Sequence, residues 1–266
     1  MEIAASSGIK RIVELFAPDD RVLVAFSGGV DSSFLIYVLK HFSDIEMMAV
    51  TIKTPYIPQW EADEAIAFCK THNITHKVLT MSFPGDIKHN PEDRCYRCKH
   101  ILFSKIKEYA AERGYNIIAD GSNADDTSDH RPGMKALKEL YVLSPLLEAG
   151  LAKKEIRSLL KEFKLEIWNK PAYACLLTRI PHNTAVEANM LQIIEEAELF
   201  LKKLGFAGTR VRLHNDIARL EPRQEDIEKI SRPGTRDSIS NYLKRLGIKY
   251  ITLDLEGYRT GSMNKK

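Results

Sequence analysis

Between residues 27 and 33 the chain reads Ser27-Gly28-Gly29-Val30-Asp31-Ser32-Ser33, a run of small, hydroxylic and acidic residues whose order points to chemistry. A glycine pair lets main chain approach a ligand closely. The free amides and dipole of a helix opening directly after it attract an anion, with phosphate the expected occupant. The run lacks the lysine of a Gly-x-x-x-x-Gly-Lys-Ser/Thr loop, and Asp31 would repel bare phosphates. A magnesium ion bridging Asp31 to the phosphates resolves that conflict. A serine and glycine turn that only caps a helix has a similar composition, but the strand expected before it and the helix after it favour a ligand site.

The cysteines form the second group. Cys95-Tyr96-Arg97-Cys98 stands just ahead of a helix expected from Lys99, where the dipole would lower a thiol pKa and favour metal ligation. Cys175, in the irregular stretch Lys170–Arg179, is the natural third ligand, and three thiolates on a four-iron cluster leave one iron open to carry sulfur. Zinc completed by His100 or His182, a redox pair at Cys95 and Cys98, and a lone nucleophile at Cys175 use the same residues. Cys69, next to Phe68 in a helical run, reads as core. The polar loop Asp120–Gly133 is expected on the same sheet edge as Ser27–Ser33, where it could touch nucleotide or substrate. Loops this rich in aspartate are commonly only solvated.

These residues need a frame, and the sequence pattern supplies one. The β-rich runs Val22–Phe26, Met47–Ile52, His76–Leu79, Ile117–Ala119 and Tyr141–Leu143 alternate with helical periods at Ser32–Phe42, Gln59–His72 and Lys99–Arg113. That alternation predicts an α/β fold, a parallel twisted sheet with helices on both faces and ligands at the carboxyl ends of its strands. Helices at Lys153–Phe163 and Glu187–Leu204 flank the irregular Asn169–Thr184. Strands at Val211–His214, Ile217–Leu220 and Ile251–Leu253, with helices after Pro222 and around Asp237–Leu246, then predict a smaller α+β unit. Domains are therefore expected at 1–184 and 185–266.

The 266 residues, 44% hydrophobic, can bury a substantial core. With 39 basic and 36 acidic residues, the chain lacks the basicity of a dedicated nucleic-acid binder, which disfavours tRNA without excluding a local patch. No apolar run reaches the roughly 18 residues of a membrane span and no signal segment opens the chain, so a cytoplasmic protein without a membrane partner is expected. Four cysteines are too few for a disulfide scaffold.

Ser27–Ser33 resembles the PP-loop (Ser-Gly-Gly-x-Asp-Ser) of enzymes that split ATP between its α and β phosphates. Together with Arg94–Lys99, Asp120–Gly133, Pro171–Pro181, Val211–Leu220 and Gly257–Ser262, in this order and spacing, it resembles the LarE-type sulfur transferases of nickel-pincer nucleotide biosynthesis. The resemblance implies a PP-loop, Rossmann-like fold and adenylation of a carboxylate on a pyridinium mononucleotide. Attack by protein-bound sulfur would then give a thiocarboxylate and AMP. It implies ATP bound by Ser27, Gly28, Gly29, Val30, Asp31, Ser32, Ser33 and Asp125, with magnesium on Asp31. Substrate contacts fall to Arg131, Thr178, Arg179, Arg210 and Arg212, and Glu198 becomes an acid or base beside the catalytic Asp31 and Cys175.

Some members consume the cysteine matching Cys175, whereas others hold a [4Fe-4S] cluster on three cysteines. This chain fills all three positions, 95, 98 and 175, and so looks like the cluster-dependent kind, recharged by sulfide or another sulfur donor. A symmetric homo-oligomer is also implied. A tRNA thiolation enzyme shares the loop and the three cysteines; an amide-forming synthetase would not need them. A nucleotide sensor would release no AMP.

Overall fold

The computed structural model describes residues 7–127, 132–171 and 173–259. Its elements run α1 (Ser7–Val13), β1 (Arg21–Ala25), α2 (Val30–Phe42), β2 (Glu46–Lys53), α3 (Gln59–Thr71), β3 (His76–Thr80), α4 (Arg94–Arg113), β4 (Ile117–Ala119), α5 (Pro132–Glu139), α6 (Pro145–Glu148), α7 (Lys153–Glu162), α8 (Ala188–Lys203), β5 (Arg210–His214), β6 (Ile217–Glu221), α9 (Ile227–Ser231), α10 (Pro233–Arg245) and β7 (Tyr250–Leu253). None of the described helices is long and apolar enough to cross a membrane.

The first sheet has the order β3-β2-β1-β4, and every pairing in it is parallel. Successive side chains of a strand face opposite sides, and the core divides accordingly. Val22, Val24 and Ala49 pack with Ile9, Phe34, Leu35 and Leu160 from the helices of one face. Leu23, Val50 and Ile52 pack with Phe103, Ile106, Ala110 and Leu137 on the other. Apolar side chains on both faces explain why these strands read as continuous β-branched runs. This is the expected α/β architecture.

Chain order reverses between β1 and β4, which makes their carboxyl ends the topological switch point where open α/β sheets bind ligands. Ser27–Gly29 leaves β1 there, and the loop from Asp120 leaves β4.

The expected strand Tyr141–Leu143 does not form. It contributes a single parallel bridge, Ala119 to Leu143, because Tyr141 takes a left-handed turn at φ 57° straight after α5. Its Tyr-Val-Leu composition marks apolar contact rather than extended pairing.

Contacts divide the chain into two compact units. One comprises the chain up to Ile87 with Asp93–Lys170, and the other joins Lys88–Glu92 to the chain from Pro171 onward. The division thus falls between Lys170 and Pro171, near the start of the irregular stretch Asn169–Thr184. The loop earns its membership through burial: Leu176, Leu177, Arg179 and Ile180 are all buried. Asn90, itself fully buried, donates from its amide to the carbonyls of Leu177, Ile180 and Pro181, which places Lys88–Glu92 in the same unit. In the second unit β5 pairs antiparallel with β6, and β6 parallel with β7. Ala197 and Leu201 of α8 and Ile239 and Leu243 of α10 complete its core with Val211, Ala218 and Leu220.

Candidate active site

At the switch point Gly28 is a steric requirement. Gly28 sits at φ 69°, and a Cβ there would lie 3.1 Å from Cβ of Ala65 on α3. Gly29 occupies the N-cap position of α2 without a side chain to satisfy the first amides. Those amides and the α2 dipole therefore face the loop, as an anion site requires. The Ser27 hydroxyl accepts from the Gly29 amide (3.3 Å) and lies 3.1 Å from the Ser32 hydroxyl, which donates to the Gly29 carbonyl (3.3 Å).

Asp31, in the first turn of α2, accepts a hydrogen bond from Lys153 Nζ at 2.9 Å on Oδ2, while Oδ1 is buried with no partner. A partnerless buried carboxylate oxygen is costly in protein and is the hard oxygen donor a magnesium ion takes. Asp31 thus fits the metal its loop implies. Behind the loop, Thr51 donates to the Phe26 carbonyl (2.8 Å) and is contacted by His76 Nε2 at 2.9 Å.

The loop after β4 presses directly on this structure. A Cβ on Gly121 would meet the Ser32 backbone at 2.8 Å from N and 2.9 Å from Cα, so only glycine lets the two loops touch. Asp120 is held by the hydroxyls of Ser122 and Ser144, each at 2.6 Å. Asp125 accepts from the Lys153 amide at 2.9 Å and so caps α7. Lys153 consequently joins both loops, through its amide to Asp125 and its ammonium to Asp31. Val30 and Ser33 are buried in the start of α2, and Arg131 lies outside the described residues.

The cysteine pair differs from expectation in one respect. Helix α4 opens at Arg94, so Cys95 and Cys98 stand inside its first turns, at i and i+3 on one face, and do not precede it. Asp93 is the cap residue; Lys99 is only the first residue past the pair. Asp93 pairs with Arg97 at 2.8 Å and does not cap an amide. Cys95 is exposed, while the half-buried Cys98 has its Sγ 3.2 Å from the hydroxyl of the buried Tyr56. Burial pushes the Cys69 thiol up to about 12, in keeping with its reading as core. Among the described residues, no group of three or more His, Cys, Asp or Glu side chains is placed to hold a metal ion.

In the second unit, the loop carrying Cys175 is built around Arg179, whose side chain is 1% exposed. Its Nε and Nη2 donate to the two carboxylate oxygens of Glu198 at 2.8 and 2.9 Å. Nη1 reaches the Ala174 carbonyl (2.7 Å), the Cys175 carbonyl (3.2 Å) and the Thr178 hydroxyl (2.7 Å). Glu198 Oε1 also accepts from the Val211 amide at 3.0 Å. Arg212 pairs with Glu221 (2.9 and 3.0 Å) and donates to the Thr178 carbonyl. Arg210 is buried between the rings of Tyr173 and Tyr258, 5.1 and 5.0 Å from their centroids. Burial, and then the charge of Arg179, hold the Arg210 pKa below its usual value. An anion arriving there would oppose both effects by favouring the charged guanidinium.

Four histidines share a depressed pKa caused first by burial: His41, His72, His76 and His214, the last also facing Arg219 and Arg212. The folded state binds fewer protons than the unfolded chain, so stability is full above the unfolded value of about 6.5 and is lost as pH falls through the lower folded values. Melting temperatures are expected to hold from pH 7.5 to about 6.5 and to decline from there to pH 5.5; a profile flat throughout would count against these four environments.

No family model matches the chain. Curated relatives do. The chain is 34% identical over 261 residues to an uncharacterized protein of Synechocystis sp., covering 97% of each. It is 35% identical over 250 residues to pyridinium-3,5-bisthiocarboxylic acid mononucleotide synthase of Lactiplantibacillus plantarum, covering 92% of this chain and 89% of the relative. Over 115 residues, 40% of each chain, it is 32% identical to tRNA-cytidine(32) 2-sulfurtransferase of Legionella pneumophila. A nucleotide-type loop at the switch point and near full-length similarity to a sulfur-transferring synthase lead to one assignment. The chain is an enzyme of the PP-loop sulfur-transfer class and belongs to the family of the pyridinium-3,5-bisthiocarboxylic acid mononucleotide synthases, the LarE-type sulfur transferases.

Proposed function

We propose that this enzyme adenylates a carboxylate of a pyridinium mononucleotide and then replaces the adenylate with sulfur. In the first step a substrate carboxylate oxygen bonds to the α-phosphorus of ATP and pyrophosphate leaves. In the second, sulfur bonds to the acyl carbon, and AMP leaves with the oxygen that joined it, giving a thiocarboxylate. The carrying observation is Asp31 Oδ1, buried and without a partner beside the glycine pair, where magnesium on the departing pyrophosphate would be held. Ser27, Gly28, Gly29, Ser32 and Ser33 then cradle the phosphates, with Asp125 supporting them through Lys153.

Three soft thiolates, Cys95, Cys98 and Cys175, are the donor set a [4Fe-4S] cluster takes. Bound there, such a cluster would leave one iron free to carry the sulfur. Arg210 serves the substrate phosphate. Thr178, Arg179 and Arg212 hold the Cys175 loop beside it, and Glu198 acts as the positioning partner of Arg179. The same reading sets the enzyme in the cytoplasm as a homo-oligomer.

Protein purified without oxygen tests this. About four irons and matching sulfide per chain, lost in Cys95→Ala, Cys98→Ala and Cys175→Ala, are expected, with AMP and pyrophosphate formed only when the mononucleotide is present. Iron-free protein that loses one sulfur from Cys175 would establish a sacrificial donor instead. AMP formation driven by tRNA would move the enzyme to RNA thiolation.

A further inference from the structure

The Gly28–Gly29 peptide is the weak point of the nucleotide loop. A planar peptide directs its C=O and N–H oppositely, so the orientation of the Gly28 carbonyl fixes that of the Gly29 amide. Between two glycines no Cβ opposes a flip of that peptide. A flipped peptide would turn its carbonyl, a partial negative charge, towards the place where an amide should meet a phosphate.

The structure provides a restraint. Lys170 Nζ donates to the Gly28 carbonyl at 2.7 Å and pairs with Glu64 Oε2 at 2.8 Å. The ammonium also lies 5.9 Å from the centroid of Trp60. The Lys170 side chain is 14% exposed, so the bond is shielded from competing water. Its main chain is anchored as well. Arg157 on α7 donates to the Trp168 carbonyl and, at 2.9 Å, to the Lys170 carbonyl. Both residues therefore draw on α7, the helix whose first residue, Lys153, engages Asp31.

We propose that Lys170 is a positioning residue for the nucleotide half-reaction, locking the Gly28–Gly29 peptide with its carbonyl withdrawn and its amide on the opposite side, where the Ser27 hydroxyl accepts it at 3.3 Å. This rests on the ATP-dependent reading above. A lysine retained only for stability would need Glu64 alone; the bond to the carbonyl of the loop's positive-φ glycine is what ties it to nucleotide chemistry.

The full-length enzyme tests it through ATP kinetics with saturating mononucleotide. Lys170→Met keeps the stem and removes the donor; kcat is expected to fall about 100-fold, with KM for ATP moving less than about threefold. Lys170→Arg, which can still reach both acceptors, should recover kcat to within about tenfold of wild type. Glu64→Gln leaves the Gly28 bond in place and should stay within about fivefold. Wild-type kcat in Lys170→Met, or an equal loss in Glu64→Gln, overturns the proposal. Should Lys170→Met fail to fold, Lys170→Arg decides: a loss of about 100-fold in kcat counts against the peptide lock. Wild-type enzyme that neither binds MgATP nor forms AMP overturns the functional reading itself, an outcome distinct from all of these.

Discussion

Asp31→Asn is expected to lower AMP and pyrophosphate formation by about 1000-fold while leaving the melting temperature unchanged or raised. The two effects have one origin. Oδ1 of Asp31 is buried and has no partner, so the folded protein carries a desolvated carboxylate oxygen that only a cation would satisfy. Asparagine fills the same volume and removes the charge, which relieves that cost. The change also ends the ion pair with Lys153, but that lysine side chain is 38% exposed, and exposed pairs contribute little. With the charge gone, a metal held there to neutralise the leaving pyrophosphate, as proposed above, would lose its protein ligand. Pyrophosphate release and thermal melting on one preparation check both halves. Turnover within tenfold of wild type would remove Asp31 from the metal site.

Such a trade of stability for function, if found at Asp31, would explain why this part of the candidate site stands out in the sequence. Ser27–Ser33 departs from what either the strand before it or the helix after it wants, and local departures of that kind mark functional positions. The four parallel strands were readable for the opposite reason. Their apolar runs follow the demand of a sheet buried on both faces, and their bounds differ from the pattern by a residue or so. Tyr141–Leu143 shows where this fails, since apolar β-formers also serve as contact residues after a helix and only φ at Tyr141 separates the cases.

What the sequence did not disclose is almost entirely polar and long-range. Gly121 stood in a loop already singled out, yet its role is contact with the Ser32 backbone, which depends on β1 and β4 being neighbours. Lys153, Lys170 and Asn90 carried no local signal, because each is defined by partners far along the chain: Asp31, Gly28, and the carbonyls from Leu177 to Pro181. Arg179 and Glu198 were noticed, but as a substrate contact and an acid or base, not as partners in one buried ion pair. Glu198 shares α8 with the more exposed Glu195 and Glu196, and only burial of its particular face distinguishes it.

That pair carries the largest expected loss of stability. Arg179→Met should cost about 3–5 kcal/mol, because it strands the Glu198 carboxylate in the core with the Val211 amide as its one remaining hydrogen-bond donor among those described above. Arg179→Met combined with Glu198→Leu removes both charges together, and most of the lost stability should return, since a buried pair replaced by apolar groups of similar volume is often neutral. Sulfur transfer should not return with it. In the double variant the carbonyls of Ala174 and Cys175 still lack the Nη1 donor that shapes the loop, so under the proposed mechanism Cys175 would be misplaced even in a stable protein. Denaturant unfolding and thiocarboxylate formation, measured on both variants, separate the two roles. If the double variant regained transfer along with stability, Arg179 would be holding the fold alone; if the single variant kept wild-type stability, the buried pair would not be the keystone of the second unit.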